Sequence, residues 1–175
     1  NGWMMKPYNF DETKQYPVFM YLYGGPGSQQ VTDSWGGSNF LWYQMLTQQG
    51  YIVACVDNRG TGARGSEFKK CTYQQLGKLE TEDQIEANRY LANLPYVDSS
   101  RIGIFGWSYG GYMSSLCLLK GADEFKMAIA VAPVTNWRYY DSIYTERYMR
   151  TPQENASGYD ENSPINHVEK LKGQY

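Results

Sequence analysis

The stretch Arg101-Ile102-Gly103-Ile104-Phe105-Gly106-Trp107-Ser108-Tyr109-Gly110-Gly111-Tyr112, residues 101–112, decides the fold. Arg101 to Phe105 reads as a short buried strand, Gly106 to Gly111 as a turn, and Tyr112 to Leu119 as a helix. Gly106, Trp107, Ser108, Tyr109 and Gly110 spell GxSxG at that junction. A serine hydroxyl becomes a useful nucleophile only when a tight turn presents it to a base and sets it beside donors for an oxyanion. Small flanking residues permit such a turn. The five letters alone also describe an ordinary glycine-rich turn; the strand before and the helix after favour Ser108 as a nucleophile.

Outward from this junction the chain alternates strand and helix. Val18 to Tyr23 is a continuous apolar run closed by Gly24, Gly25, Pro26 and Gly27, as expected of a strand buried on both faces. Tyr51 to Val56 is a second such strand, stopped by Asp57, Asn58, Arg59 and Gly60, and Lys126 to Val134 is another. Phe40 to Gln49 reads as a short helix ended by Gly50. A capping box, Thr81 with Gln84, predicts a longer helix with Ala87, Tyr90, Leu91 and Leu94 on one face, ended by Pro95. The alternation predicts an α/β fold with a mostly parallel, doubly wound sheet and helices on both faces. After Val134 the pattern becomes an aromatic helix and polar loop broken by Pro152 and Pro164. Trp137, Tyr140 and Tyr144 fall at i, i+3 and i+7, with Tyr148 one turn further, a spacing that by itself describes a core stripe.

The chain has 175 residues and no visible linker, which predicts one domain. Its 16 basic and 18 acidic residues give a net charge of −2, so no general basic field exists for nucleic acid or anionic lipid. The 42% hydrophobic count sits beside a mean hydropathy of −0.61 because 17 tyrosines count as apolar in one tally and polar in the other. This is a globular composition. No apolar run approaches the roughly 18 residues of a membrane-spanning helix. Cys55, Cys71 and Cys117 lack CxxC spacing, and with His167 as the one histidine neither a disulfide framework nor a metal site is indicated. The start at Asn1, without a charged or apolar leader pattern, reads as a processed or partial piece.

Five colinear segments carry a resemblance: Tyr23 with GGPGSQ at 24–29, DNRGTG at 57–62, LETEDQIEA at 79–87, GWSYGGYM at 106–113 and AVAPVTNWRYYDSIYTERYM at 130–149. Together they resemble the catalytic α/β-hydrolase domain of the prolyl oligopeptidase family, most closely its dipeptidyl peptidase IV branch. The resemblance implies a serine exopeptidase that releases Xaa-Pro, or less well Xaa-Ala, dipeptides from peptide amino termini. It implies Ser108 as the acylating nucleophile, with the backbone N–H of Tyr109 and the hydroxyl of Tyr23 as oxyanion donors. Val134, Trp137, Tyr140, Tyr144 and the ring of Tyr109 would surround the residue before the cleaved bond. Flat aromatic walls suit the rigid proline ring. A peptide with penultimate proline is the implied partner, no cofactor is implied, and the branch admits a homodimer of the longer protein and an extracytoplasmic setting.

The pattern has decoys and gaps. Gly60, Thr61, Gly62, Ala63, Arg64 and Gly65 literally match GxGxxG after a strand. A dinucleotide fingerprint also needs a helix opening on the glycines and an acid at the end of the next strand, whereas Ser66 to Gly77 has no apolar stripe and Glu80 and Glu82 fall at a helix start. Serine hydrolases of this fold supply their partners in the order Ser, Asp or Glu, His. Asp123, Asp141, Asp160 and His167 follow Ser108 too closely to leave room for the strands that should carry the acid and base. His167 is therefore expected to be a surface or capping histidine and Asp141 to orient the aromatic segment. Residues 1–175 are read as a partial catalytic domain, incomplete on its C-terminal side, inactive alone, without the family's propeller domain and catalytic acid and base. The competing readings are an acylaminoacyl peptidase or esterase on the same fold, and a non-catalytic binding protein on a hydrolase fold.

Overall fold

The computed structural model describes residues 1–175. Five strands form one sheet: β1 Gly2–Met5, β2 Tyr16–Tyr21, β3 Ile52–Val56, β4 Val97–Trp107 and β5 Met127–Val131, in the order β1-β3-β2-β4-β5. All neighbouring pairs are parallel except β1 with β3. The helices are α1 Phe40–Gln48, α2 Ser66–Lys70, α3 Lys78–Ala92, α4 Tyr109–Lys120, α5 Ser142–Met149 and α6 Ala156–Asp160.

The continuous apolar strands are explained by burial on both faces. Val18, Met20 and Leu22 point into the main core with Ile52, Ala54, Ile102, Ile104 and residues of α4. Phe19 points the other way, into a smaller cluster with Tyr43 of α1 and Val53, flanked by Trp3, Trp42 and Phe105. Helices thus cover both faces, as the alternation requires. The antiparallel edge strand β1 was not foreseen; four residues at an edge leave no long apolar run. On the opposite edge, β5 pairs outward only through a bridge between Met127 and Gln174, and its Met127 and Ile129 are 39% and 41% exposed.

Helix α3 departs from the sequence expectation. It begins at Lys78, not at Thr81, because the Glu80 carboxylate accepts the Gly77 N–H at 3.0 Å and closes the first turn from one residue earlier. Thr81 instead donates its hydroxyl to the Gly77 carbonyl. Of the predicted apolar face, Leu91 is buried and Ala87 and Leu94 pack against the core, while Tyr90 is 69% exposed; the other buried residues of the helix are the polar Glu80, Thr81, Gln84 and Asn88. Their amides cap strand and loop ends, with Gln84 donating to Val56 O and Asn58 Oδ1 and Asn88 to Glu124 O.

Candidate active site

The GxSxG turn sits where β4 ends at Trp107 and α4 begins at Tyr109. Helix α4 starts at Tyr109, directly after Ser108, and not at Tyr112 as the pattern indicated. Ser108 holds φ 58° and ψ −113°, a region L-residues rarely adopt, and is fixed by its N–H to Val131 O (2.8 Å) and its carbonyl to the Tyr112 N–H (3.0 Å). A Cβ on Gly106 would meet the Gly110 backbone, and one on Gly110 would meet the Leu22 carbonyl oxygen. One on Gly111 would stand 2.8 Å from Val131 O. The glycines are therefore required by backbone contact. They leave the Ser108 side chain half-buried at the head of α4, with its hydroxyl making no hydrogen bond inside the chain. The N–H groups of Tyr109, Gly110 and Gly111 open the helix without i−4 partners at its positive end.

Tyr23 stands two residues beyond β2, next to the Leu22 carbonyl on which Gly110 packs. Its ring lies 6.0 Å from that of Tyr109, and a Cβ on Gly25 would come within 2.8 Å of the Tyr23 ring and 3.0 Å of Tyr109 Cγ. The loop is anchored by Asn58, whose Nδ2 donates to Gly24 O at 3.0 Å. Burial, then the neighbouring phenols of Tyr140 and Tyr148, push the Tyr23 hydroxyl above the ordinary tyrosine range. It remains a neutral proton donor across physiological pH.

The aromatic segment is not one helical face. Trp137–Tyr139 is a short 3-10 turn, Tyr140 is extended (φ −95°, ψ 167°), and α5 begins only after Asp141, which caps it by accepting the Tyr144 N–H at 2.8 Å. The rings converge all the same. Trp137 stacks on Tyr144 at 5.8 Å and 23°, Tyr140 meets both edge-on, and Tyr109 contacts Trp137 at 5.5 Å. Val134 and Trp137 are buried, Tyr144 is half-buried and Tyr140 is 44% exposed, so the cluster grades from core to surface. Burial, followed by the nearby Tyr23, also raises the Tyr144 phenol.

Behind the cluster lies Glu80, which the sequence placed only at a helix start, within LETEDQIEA and beside the GxGxxG decoy, and gave no role. It is fully buried, and its Oε1 accepts the Tyr109 hydroxyl at 2.8 Å. Burial pushes its carboxyl up to about 7 despite the hydrogen bonds it accepts. A glutamate three residues after a glycine, at the start of a polar helix, carries no signal of such burial.

The other candidates disperse. The His167 ring bonds Glu161 O at 2.8 Å and Lys170 Nζ at 3.0 Å within the 3-10 segment Pro164–Lys170. Asp160 accepts Arg138, and Asp123 pairs with Lys172. None of these carboxylates bonds His167 or Ser108. At the GxGxxG decoy a five-residue helix, α2, does open at Ser66, where none was expected; it has no buried residue and leads to α3, not to a strand. Glu80 and Glu82 both lie on α3. No three His, Cys, Asp or Glu side chains converge in a way that could hold a metal ion, and no helix is long and apolar enough to cross a membrane.

Comparison with known proteins speaks to the family and the fold. Residues 38–175 match the prolyl oligopeptidase family. A protein of Arthroderma benhamiae described as "Probable dipeptidyl-aminopeptidase B" is 52% identical over 167 residues, covering 95% of this chain and 18% of its own length. The "Probable dipeptidyl peptidase 4" of Aspergillus flavus is 46% identical over 155 residues, 88% of this chain and 20% of its own. The crystal structure of Porphyromonas gingivalis dipeptidyl peptidase 4 superposes with a TM-score of 0.93 at 55% identity, over 98% of this chain and 24% of that one. The chain thus spans about a fifth of the length of these curated relatives. The match over residues 38–175 and the similarity along nearly the whole chain place it in the prolyl oligopeptidase family.

Proposed function

We propose that this chain carries the nucleophile and the proline pocket of a serine exopeptidase that releases dipeptides with penultimate proline, or less well alanine. The observation that carries this reading is the placement of Ser108 at φ 58° on a turn whose glycines pack backbone on backbone, beside a graded aromatic cluster. Ser108 Oγ attacks the carbonyl of the penultimate residue while a base takes its proton. The negative oxygen that forms is met by the Tyr109 N–H and the neutral Tyr23 hydroxyl. The base returns the proton to the leaving amine, the C–N bond breaks, and water then releases the acyl group from Ser108. The rings of Tyr109, Trp137, Tyr140 and Tyr144, with Val134, receive the proline. We assign the base and its orienting carboxylate to segments outside this chain, since His167 and the nearby aspartates are engaged elsewhere. An extracytoplasmic setting fits the peptide substrates of the relatives' names.

The test is hydrolysis of a glycyl-prolyl anilide by a full-length enzyme carrying this chain. Ser108→Ala is expected to lower kcat by on the order of 10⁶-fold. Tyr23→Phe is expected to cost about 10² to 10³ in kcat, the loss of one oxyanion donor. Blocking the substrate amine should abolish turnover. Preference for the blocked peptide or a simple ester would refute the dipeptidyl assignment while leaving the hydrolase fold intact. Residues 1–175 alone should show negligible turnover.

A further inference from the structure

We propose that Glu80 is a positioning residue for penultimate-residue specificity: its carboxylate grips the Tyr109 hydroxyl from behind and so fixes the ring that walls the pocket beside Ser108. The proposal rests on the peptidase reading above. It concerns a contact buried inside the chain.

Glu80 is 28 positions from Ser108 in sequence, yet its two oxygens divide between the turn that opens α3 and the residue that opens α4. Oε2 accepts the Gly77 N–H at 3.0 Å and Oε1 accepts the Tyr109 hydroxyl at 2.8 Å. The groups facing it are Tyr109, Tyr112 and Cys117 from α4 and Asp83 on its own helix. It forms no salt bridge. A helix that needed only packing here would be served by an apolar side chain, since a buried carboxylate without a cation is costly. What the carboxylate adds is a charge-assisted hold on one phenol. That phenol's ring touches Tyr23, Tyr112 and Trp137 at centroid distances of 6.0, 5.3 and 5.5 Å, so its tilt sets the space between the oxyanion donor and the aromatic pocket. Loosening it should penalise a substrate whose ring must fit the wall more than one that presents a methyl group.

The hold strengthens with ionisation. The Glu80 carboxyl ionises near 7, so the grip is strong above neutrality and weak below it. The ratio of kcat/KM for glycyl-prolyl over glycyl-alanyl anilide cancels the titration of machinery that both substrates share.

In the full-length enzyme carrying this chain, that ratio is expected to rise several-fold between about pH 5.5 and 8.5, with its midpoint near 7. Glu80→Gln should lower the ratio about tenfold above neutrality and flatten its pH dependence. Tyr109→Phe should do the same, and the double variant should be no worse than either single one. Tyr109→Phe removes only an oxygen and keeps the test open if Glu80→Gln fails to fold. A ratio independent of pH in the wild type, or variants that slow both substrates equally, would overturn the inference while leaving the peptidase reading intact. A wild-type enzyme that turns over neither substrate overturns both.

Discussion

Two glycine-rich turns follow parallel strands in this chain, Gly106–Gly111 after β4 and Gly60–Gly65 after β3, and their glycines meet different constraints. In the first, Gly106, Gly110 and Gly111 have no positive φ; they are needed because the backbones of β2, β4, β5 and α4 touch there. The one positive φ falls on Ser108 itself. In the second, Gly60 and Gly65 hold φ 93° and 87°, and a Cβ on Gly65 would meet nothing within 4 Å. The first turn is glycine-rich for space, whereas the second mixes bending at Gly60 and Gly65 with close approach at Gly62, whose Cβ would stand 3.0 Å from Gly27 O. Helix α3 ties down both, Glu80 holding Tyr109 of the first and Asp83 holding Arg59 just before the second.

The sharpest way to break this contrast is to add one methyl group to each turn. Gly110→Ala drives a Cβ into the Leu22 carbonyl oxygen, where only backbone could yield. It should cost more than about 4 kcal/mol and leave little folded domain. Gly65→Ala meets no neighbour and should cost only the strain of a φ 87°, ψ 169° backbone that side chains disfavour, about 1 to 3 kcal/mol. Urea unfolding of the two variants decides it: equal losses would mean that the elbow can relax and that its glycines are not held by contact.

The next largest effect is electrostatic and separates the two anchors on α3. The Glu80 carboxyl is raised from 4.5 to about 7 in the fold, so the folded state binds the proton more tightly than the unfolded chain. Its contribution to stability is therefore fully present below about pH 4.5 and is lost as pH rises through 7, a change of about 3 kcal/mol. Glu80→Gln should remove that part of the pH dependence, so that the variant gains on the wild type as the pH rises. The midpoint of the domain's urea transition, followed from about pH 4.5 to 8, measures it. An unchanged slope in the variant would show that Glu80 is not the buried acid.

These contacts also mark what the amino-acid sequence could and could not reveal. The central strands were legible because they are buried on both faces, which turns Val18–Leu22, Ile52–Val56 and Ile102–Phe105 into unbroken apolar runs. The Ser108 turn was legible because its glycines sit at fixed spacing between a strand and a helix. The start of helix α3 was misread because part of its inner face is polar: Glu80, Thr81, Gln84 and Asn88 are held by hydrogen bonds to backbone, and hydrophobic periodicity reports only apolar residues such as Ala87, Leu91 and Leu94. The aromatic spacing after Val134 picked out residues whose rings do converge, but through the wrong element. Convergence of Trp137, Tyr140 and Tyr144 is set by an extended Tyr140 and a cap at Asp141, neither of which a helical period describes.

The smallest expected effect tests whether the two turns are held independently. Arg59 and Asp83 are 38% and 25% exposed, and the carboxylate takes the Arg59 backbone N–H at 2.8 Å as well as the guanidinium at 2.7 to 3.0 Å. Asp83→Asn keeps an oxygen for the backbone donor and loses the charge. The cost should be at most about 1 kcal/mol and should shrink further in 1 M salt, where the screening length falls to roughly 3 Å. Because Asp83 anchors the bend and not the elbow, the preference for prolyl over alanyl substrate should stay at the wild-type value. A shift as large as that of Glu80→Gln would mean that α3 moves as a rigid bar between the turns, and that gripping Tyr109 is a property of the whole helix and not of one carboxylate.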